Sequence, residues 1–187
     1  MIDVRRFDIP GPLEIVATKH GDERGFFSET YNRADFAAHG IADSWVQDNH
    51  VFSAQKGVLR GLHFQCPPRA QAKLIRVSRG NIFDVVVDIR AGSPSFGKWL
   101  GVELSAERWN MLYVPEGFAH GYVTLGAAEV IYKVSALYAP EAERAIRFDD
   151  PAIDIEWPLA VPELVVSDKD RRAGELAAVA GIFQWQS

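Results

Sequence analysis

The chain has 187 residues, 48% of them hydrophobic and 24% charged, a soluble globular composition with room for one domain, residues 1–187, around a substantial core. A formal charge of −5 excludes a broad nucleic-acid-binding face but not an anionic small molecule held by a few arginines. No apolar run reaches membrane-spanning length, no signal-peptide core follows Met1, and the single cysteine, Cys66, rules out an internal disulfide, so the expected location is the cytoplasm.

Read from the N-terminus, residues 21–29 run Gly-Asp-Glu-Arg-Gly-Phe-Phe-Ser-Glu. Glycines flank this stretch around Arg24, whose guanidinium either grips a diphosphate through paired hydrogen bonds or is an exposed loop charge. Residues 32–40 predict a helix, with Asn32 placed to cap its start and Gly40 its end. Gln47, Asp48 and Asn49 either read a base or sugar by hydrogen bonding or form a turn.

Residues 57–73 are the most informative stretch: two strands joined at Pro67-Pro68, carrying Arg60, His63 and Lys73 along an otherwise apolar segment. An arginine can hold an anion, a histidine can take a proton at a free-imidazole pKa of about 6.5, and a lysine can steady an enolate oxygen beside a ketone. Lys73 has a second reading, a snorkelling surface side chain. Strict alternation puts Arg60 and His63 on opposite faces, so a bulge at Gly61 is required for both to point inward. Cys66 lacks a Cys-His-Asn arrangement and reads as a spectator.

Downstream, residues 75–77, 83–90, 99–104, 111–114 and 130–134 read as short strands punctuated by Gly and Pro, which favours a sandwich or barrel over a βαβ fold. Tyr132 and Tyr138 are each either a core or interface aromatic, the commoner role for a strand Tyr, or the acid that returns a proton to the face opposite a base; one uninterrupted strand would point them the same way. Residues 167–170, Ser-Asp-Lys-Asp, read as a helix start, and residues 169–183 as a second helix weakened by Gly174 and Gly181.

Of five histidines, His20 and His39 read as surface residues, and His50 as either surface or functional. His120 closes the run Pro-Glu-Gly-Phe-Ala-His, which resembles the second motif of the cupin superfamily and implies an all-β, cupin-like jelly roll, or double-stranded β-helix, with a few short helices. The first cupin motif supplies His-x-His and then a Glu. The matching place here holds His63-Phe-Gln65 and Arg69, too few ligands for a catalytic metal, so no metal is expected.

Together these segments, with residues 84–88, 132–133 and 167–170, resemble the dTDP-4-dehydrorhamnose 3,5-epimerase family over about residues 7–170. The resemblance implies inversion of C3 and C5 of dTDP-4-dehydro-6-deoxy-D-glucose, without a cofactor, to dTDP-4-dehydro-L-rhamnose. It makes His63 the base, Asp170 its partner carboxylate, Tyr132 the acid and Tyr138 the residue stacked on thymine. Arg24, Glu29, Gln47, Asn49, Arg60, Lys73, His120, Glu143 and Lys169 fall at substrate-binding places. It further implies a homodimer exchanging N-terminal strands, in which Arg24 or Gln47 serves the neighbour's site. Val51 and Tyr122 depart from the family's usual small polar residue and Phe. Rival readings are an epimerase of C3 or C5 alone, a metal-dependent cupin oxygenase in which Gln65 stands in for a ligand, and a non-catalytic sugar-nucleotide-binding cupin.

Overall fold

A computed structural model describes residues 1–186. Strands dominate, and they form two six-stranded sheets. The first runs in the order Ile2–Arg6, Leu13–Ala17, Asn110–Val114, Lys73–Arg79, Ala128–Val134, Gln47–Ser53. The second runs Trp99–Ser105, Asn81–Asp88, Phe118–Thr124, Val58–Gln65, Glu143–Ala145, with Val165–Val166 added in parallel to Val58–Gln65. Ile75, Val77, Leu112 and Val130 of the first sheet share one buried cluster with Ile82, Val86, Leu104 and Tyr122 of the second, so the sheets pack face to face. This is the cupin-like jelly roll that the strand pattern and the Pro-Glu-Gly-Phe-Ala-His run point to.

The outer faces are covered too. Helix Arg33–Ala38 lays Phe36 against the first sheet, beside Leu13, Ile15 and Leu74. Its start is as expected: the Asn32 side chain accepts from the amides of Ala34 at 2.9 Å and Asp35 at 3.3 Å. The C-terminal stretch covers the second sheet with Ile153, Leu176, Val179 and Phe183. It does so without the helix expected over 169–183. Only Asp168–Arg171 is α-helical, followed by a 3-10 turn at Leu176–Val179 and a strand at Phe183–Gln184. Gly174 instead bridges to Ile146, and its carbonyl accepts from Arg147, while the Asp150 carboxylate takes the Leu176 amide at 2.6 Å. Those backbone groups are satisfied by the sheet, leaving a helix nothing to gain.

Because both faces of Asn81–Asp88 are buried, its alternation does not separate core from solvent. Phe83, Val85 and Val87 face the C-terminal cover, while Ile82, Asp84 and Val86 face the interior, with Asp84 fully buried. The Pro67-Pro68 turn carries the chain from one sheet to the other, so His63 and Lys73 end on facing inner surfaces.

The bulge at Gly61 is present. His120 pairs with His63 but Tyr122 pairs with Arg60, so three steps on one strand match two on the other. Leu59 and Leu62 consequently pack outward, in the covered clusters, while Arg60 and His63 both line the interior. Gly61 sits at φ +136°, and a Cβ there would meet the Gly121 Cα and the His120 carbonyl oxygen. Substituting Gly61→Ala therefore combines backbone strain with a backbone collision, and is expected to cost about 2–3 kcal/mol or more in a denaturant titration. An unchanged midpoint would show that the strand accepts a side chain at the bulge.

Candidate active site

Two contiguous chambers open between the sheets, of about 510 Å³ and about 310 Å³, and His63, Lys73 and Tyr132 line both. Arg60, His120, Tyr122, Lys169 and Asp170 line the larger chamber only; Gln47, Asn49, Tyr138 and Glu143 line the smaller.

His63 Nε2 lies 2.6 Å from Asp170 Oδ1. Asp170 is delivered by the short helix Asp168–Arg171, capped by Ser167, whose Oγ accepts the Asp170 amide at 3.1 Å. Burial pushes the Asp170 carboxyl up, but the His63 ring, Ser167 and the Gly61 amide outweigh it and hold the group below the usual carboxylate range. An ionised carboxylate thus fixes one ring nitrogen of His63 and leaves the other free.

Directly across the strand pair from His63 stands His120, whose Nε2 donates to both Asp84 oxygens, at 2.9 and 3.0 Å. Burial lowers the His120 pKa more than Asp84 restores it, which makes it a neutral ring. Asp84 belongs to the 84–88 run that carries the family resemblance, but the sequence reading gave it no role. Its signal was available: an aspartate sharing strand parity with Ile82 and Val86 must face whatever they face.

Lys73 is 8% exposed, so it is no snorkelling surface lysine. Its Nζ donates to the His63 carbonyl at 3.1 Å, and burial lowers its pKa to about 8, against the opposing pull of Asp84 and Glu143. Tyr132 extends from the opposite sheet, its phenol pushed up by burial, partly offset by Arg60. Tyr138 does not share its strand, which ends at Val134; it lies in the following loop at the mouth. There its hydroxyl donates to Glu143 at 2.9 Å, its amide donates to the Gln47 side chain at 3.0 Å, and Lys169 pairs with the same Glu143 oxygen. Gln47 in turn donates to Asn49 at 2.9 Å.

Three expected residues lie elsewhere. Asp48 points to the outer face of its sheet, paired with Lys133 at 2.9 Å, because strand alternation separates it from Gln47 and Asn49. Arg24 pairs with Asp22 on an exposed hairpin, His20–Asp22 with Gly25–Phe27, and Glu29 accepts from Asn32. Neither Arg24 nor Glu29 lines either chamber. Gln65 is occupied: it donates to the Arg69 carbonyl at 2.7 Å and accepts the Ala139 amide at 2.8 Å, so it bolts a loop rather than offering a ligand. Cys66 packs at the edge of the core.

A jelly roll whose cavity holds a histidine–aspartate pair, a phenol extended from the opposite sheet and a buried lysine is an enzyme of the acid–base class. The chain belongs to the dTDP-4-dehydrorhamnose 3,5-epimerase family, whose profile matches residues 6–178. It is 50% identical over 171 residues to the dTDP-4-dehydrorhamnose 3,5-epimerase of Shigella flexneri, covering 90% of this chain and 93% of that one. It is 49% identical over 168 residues to that of Sinorhizobium fredii (strain NBRC 101917 / NGR234), covering 89% and 86%. Among solved structures it is similar to dTDP-6-deoxy-D-glucose-3,5-epimerase RmlC from Legionella pneumophila Philadelphia 1 in complex with dTDP-4-keto-L-rhamnose, with TM-score 0.94, 41% identity and 100% of both chains covered.

The folded pKa of Lys73 lies below the unfolded value of 10.5, so between about 8 and 10.5 the unfolded chain holds a proton that the folded chain has released. Stability from this group therefore rises with pH through that window and is lowest below it. At pH 7, Lys73→Met is expected to stabilise the fold by about 2 kcal/mol, the pKa displacement less one lost hydrogen bond. Chemical denaturation at pH 7 and pH 10 checks this, since the gain should shrink at the higher pH.

Proposed function

We propose that this chain inverts C3 and C5 of dTDP-4-dehydro-6-deoxy-D-glucose, giving dTDP-4-dehydro-L-rhamnose. The observation that carries the reading is the His63–Asp170 contact at 2.6 Å, with Lys73 and Tyr132 in the same cavity. The 4-keto group acidifies the carbons on both sides of it. His63, held by Asp170, takes a proton from one face, and the electron pair moves into the ketone as an enolate. The Lys73 ammonium, charged below about pH 8, stabilises that oxygen. Tyr132, kept protonated by burial, returns a proton to the opposite face and is reprotonated by water. His63 then releases its proton to solvent, and after a ring flip the same groups serve the second carbon. Arg60, His120 and the mouth residues Gln47, Asn49, Tyr138, Glu143 and Lys169 bind the substrate, with the thymine at Tyr138.

Residues 1–187 act as one catalytic domain in the cytoplasm, and the domain works as a homodimer with exchanged N-terminal strands. Among the described residues no helix is long and apolar enough to cross a membrane. The hairpin carrying Arg24 exposes Phe26 and Phe27, and strand Gln47–Ser53 is a sheet edge with Phe52 exposed. Apolar side chains and an open edge of this kind are what a second copy covers. Arg24 and Glu29, remote from their own cavity, then complete the partner's.

Turnover in D₂O should place deuterium at C3 and C5. Label at C3 alone makes the chain a 3-epimerase, and label at neither carbon removes the reading. His63→Ala should slow exchange roughly 10²–10⁴-fold, and the wild-type rate should fall above about pH 8 as Lys73 loses its proton.

The shared site has its own test. Mixed His63→Ala and Arg24→Ala subunits should regain activity that neither homodimer has, because one pocket of the hybrid holds both intact side chains. Mixtures as inactive as their components would return Arg24 to its own chain.

A further inference from the structure

Tyr122 lines the larger chamber, yet the acid–base scheme gives it no task. It faces inward from Phe118–Thr124, with Arg60 as its Cα partner on one side and Asp84 on the other. The residue is 4% exposed, and its hydroxyl has no hydrogen-bond partner among the described residues. Ser53, on the opposing sheet and equally buried, also has an unpartnered hydroxyl; it lies near enough to influence the Tyr122 phenol, though neither oxygen completes a bond to the other. Arg60 is the strongest charge acting on both Tyr122 and Tyr132, and it forms no ion pair among the described residues. One end of the cavity therefore gathers a free guanidinium and the idle Tyr122 hydroxyl, with the Ser53 hydroxyl beside it but outside the lining.

A buried hydroxyl without a partner destabilises the empty fold, and a phenylalanine ring would fill the same space without that cost. Here the oxygen sits beside the reacting groups. We propose that Tyr122, backed by Ser53, forms a subsite for the hydroxyl edge of the hexose, and that Tyr122 is a specificity-determining residue. The inference rests on the epimerase reading. Tyr138 lies in one chamber, Tyr122 in the other, and His63, Lys73 and Tyr132 in both. A nucleotide seated at Tyr138 with its reacting carbon between His63 and Tyr132 directs the rest of the sugar ring toward Tyr122. The Tyr122 oxygen is covered from solvent in the empty pocket, so a ligand reaches it only once a side chain lining that end moves aside.

The test compares wild type and Tyr122→Phe with two probes, dTDP alone and dTDP-4-dehydro-6-deoxy-D-glucose. The variant should raise KM for the sugar nucleotide about tenfold, the effect of losing one good hydrogen bond. Its kcat should change far less, its affinity for dTDP should stay within about twofold, and its melting temperature should hold or rise, because an idle buried hydroxyl has been removed. Ser53→Ala should reproduce the pattern more weakly. An unchanged KM in both variants, equal losses for dTDP and the sugar nucleotide, or a lower melting temperature with unchanged KM would each overturn the assignment. A wild-type protein that exchanges no deuterium would instead remove the epimerase reading, and this one with it.

Discussion

The contact between Gly61 and Gly121 sets the geometry on which the site depends. Two strands approach so closely there that neither position has room for a side chain. The approach coincides with the one-residue slip that turns Arg60 inward without turning His63 outward. Without it, a strand of period two would present either the cation or the base to the cavity. The same place supplies a backbone amide to Asp170, so the bulge also helps to hold the carboxylate that orients His63. A single backbone irregularity thus positions Arg60, His63 and Asp170, the proposed anion site, base and partner carboxylate.

What could be read from the chain, and what could not, follows from how local each feature is. The cap at Asn32, the turn at Pro67-Pro68 and the need for a bulge at Gly61 are local, since each follows from a few neighbouring residues and their allowed conformations. The helix expected over 169–183 failed because its backbone groups found partners at Ile146, Arg147 and Asp150, which no window of local propensity contains. Asp48 was grouped with Gln47 and Asn49 as a triplet, although a strand must send the middle residue to the other face. Asp84 was overlooked for the converse reason: polar residues alternating with valines suggest a wet face, whereas this strand is dry on both. The pairing of His63 with Asp170, 107 positions apart, was legible only through family resemblance.

The interior charges have been placed for chemistry rather than for stability. Lys73 is buried beside a carbonyl oxygen with no carboxylate in contact, so it lowers its own pKa instead of forming a salt bridge. Asp84 lies close enough to favour its charge but spends both oxygens on His120. An ammonium paired directly with a carboxylate would have little field left for a developing oxyanion. A lysine that is charged yet uncommitted can give nearly all of it. The destabilisation of the empty protein and the strength of the site are therefore two consequences of one arrangement.

The mouth of the cavity follows the opposite rule. Tyr138, Gln47, Asn49, Glu143 and Lys169 are already bonded to one another before any ligand arrives. Hydrogen bonds and opposite charge there hold the Glu143 pKa below the usual carboxylate range, despite its partial burial, and raise that of Lys169. Exposed pairs of this kind contribute little to folding, so they can be exchanged for ligand contacts at small cost. Deep in the pocket Arg60 and Tyr122 are idle among the described residues, whereas the rim groups are satisfied. Such a gradient favours a ligand whose nucleotide end exchanges hydrogen bonds while its sugar end makes new ones, so that most of the gain in binding falls beside the reacting carbons.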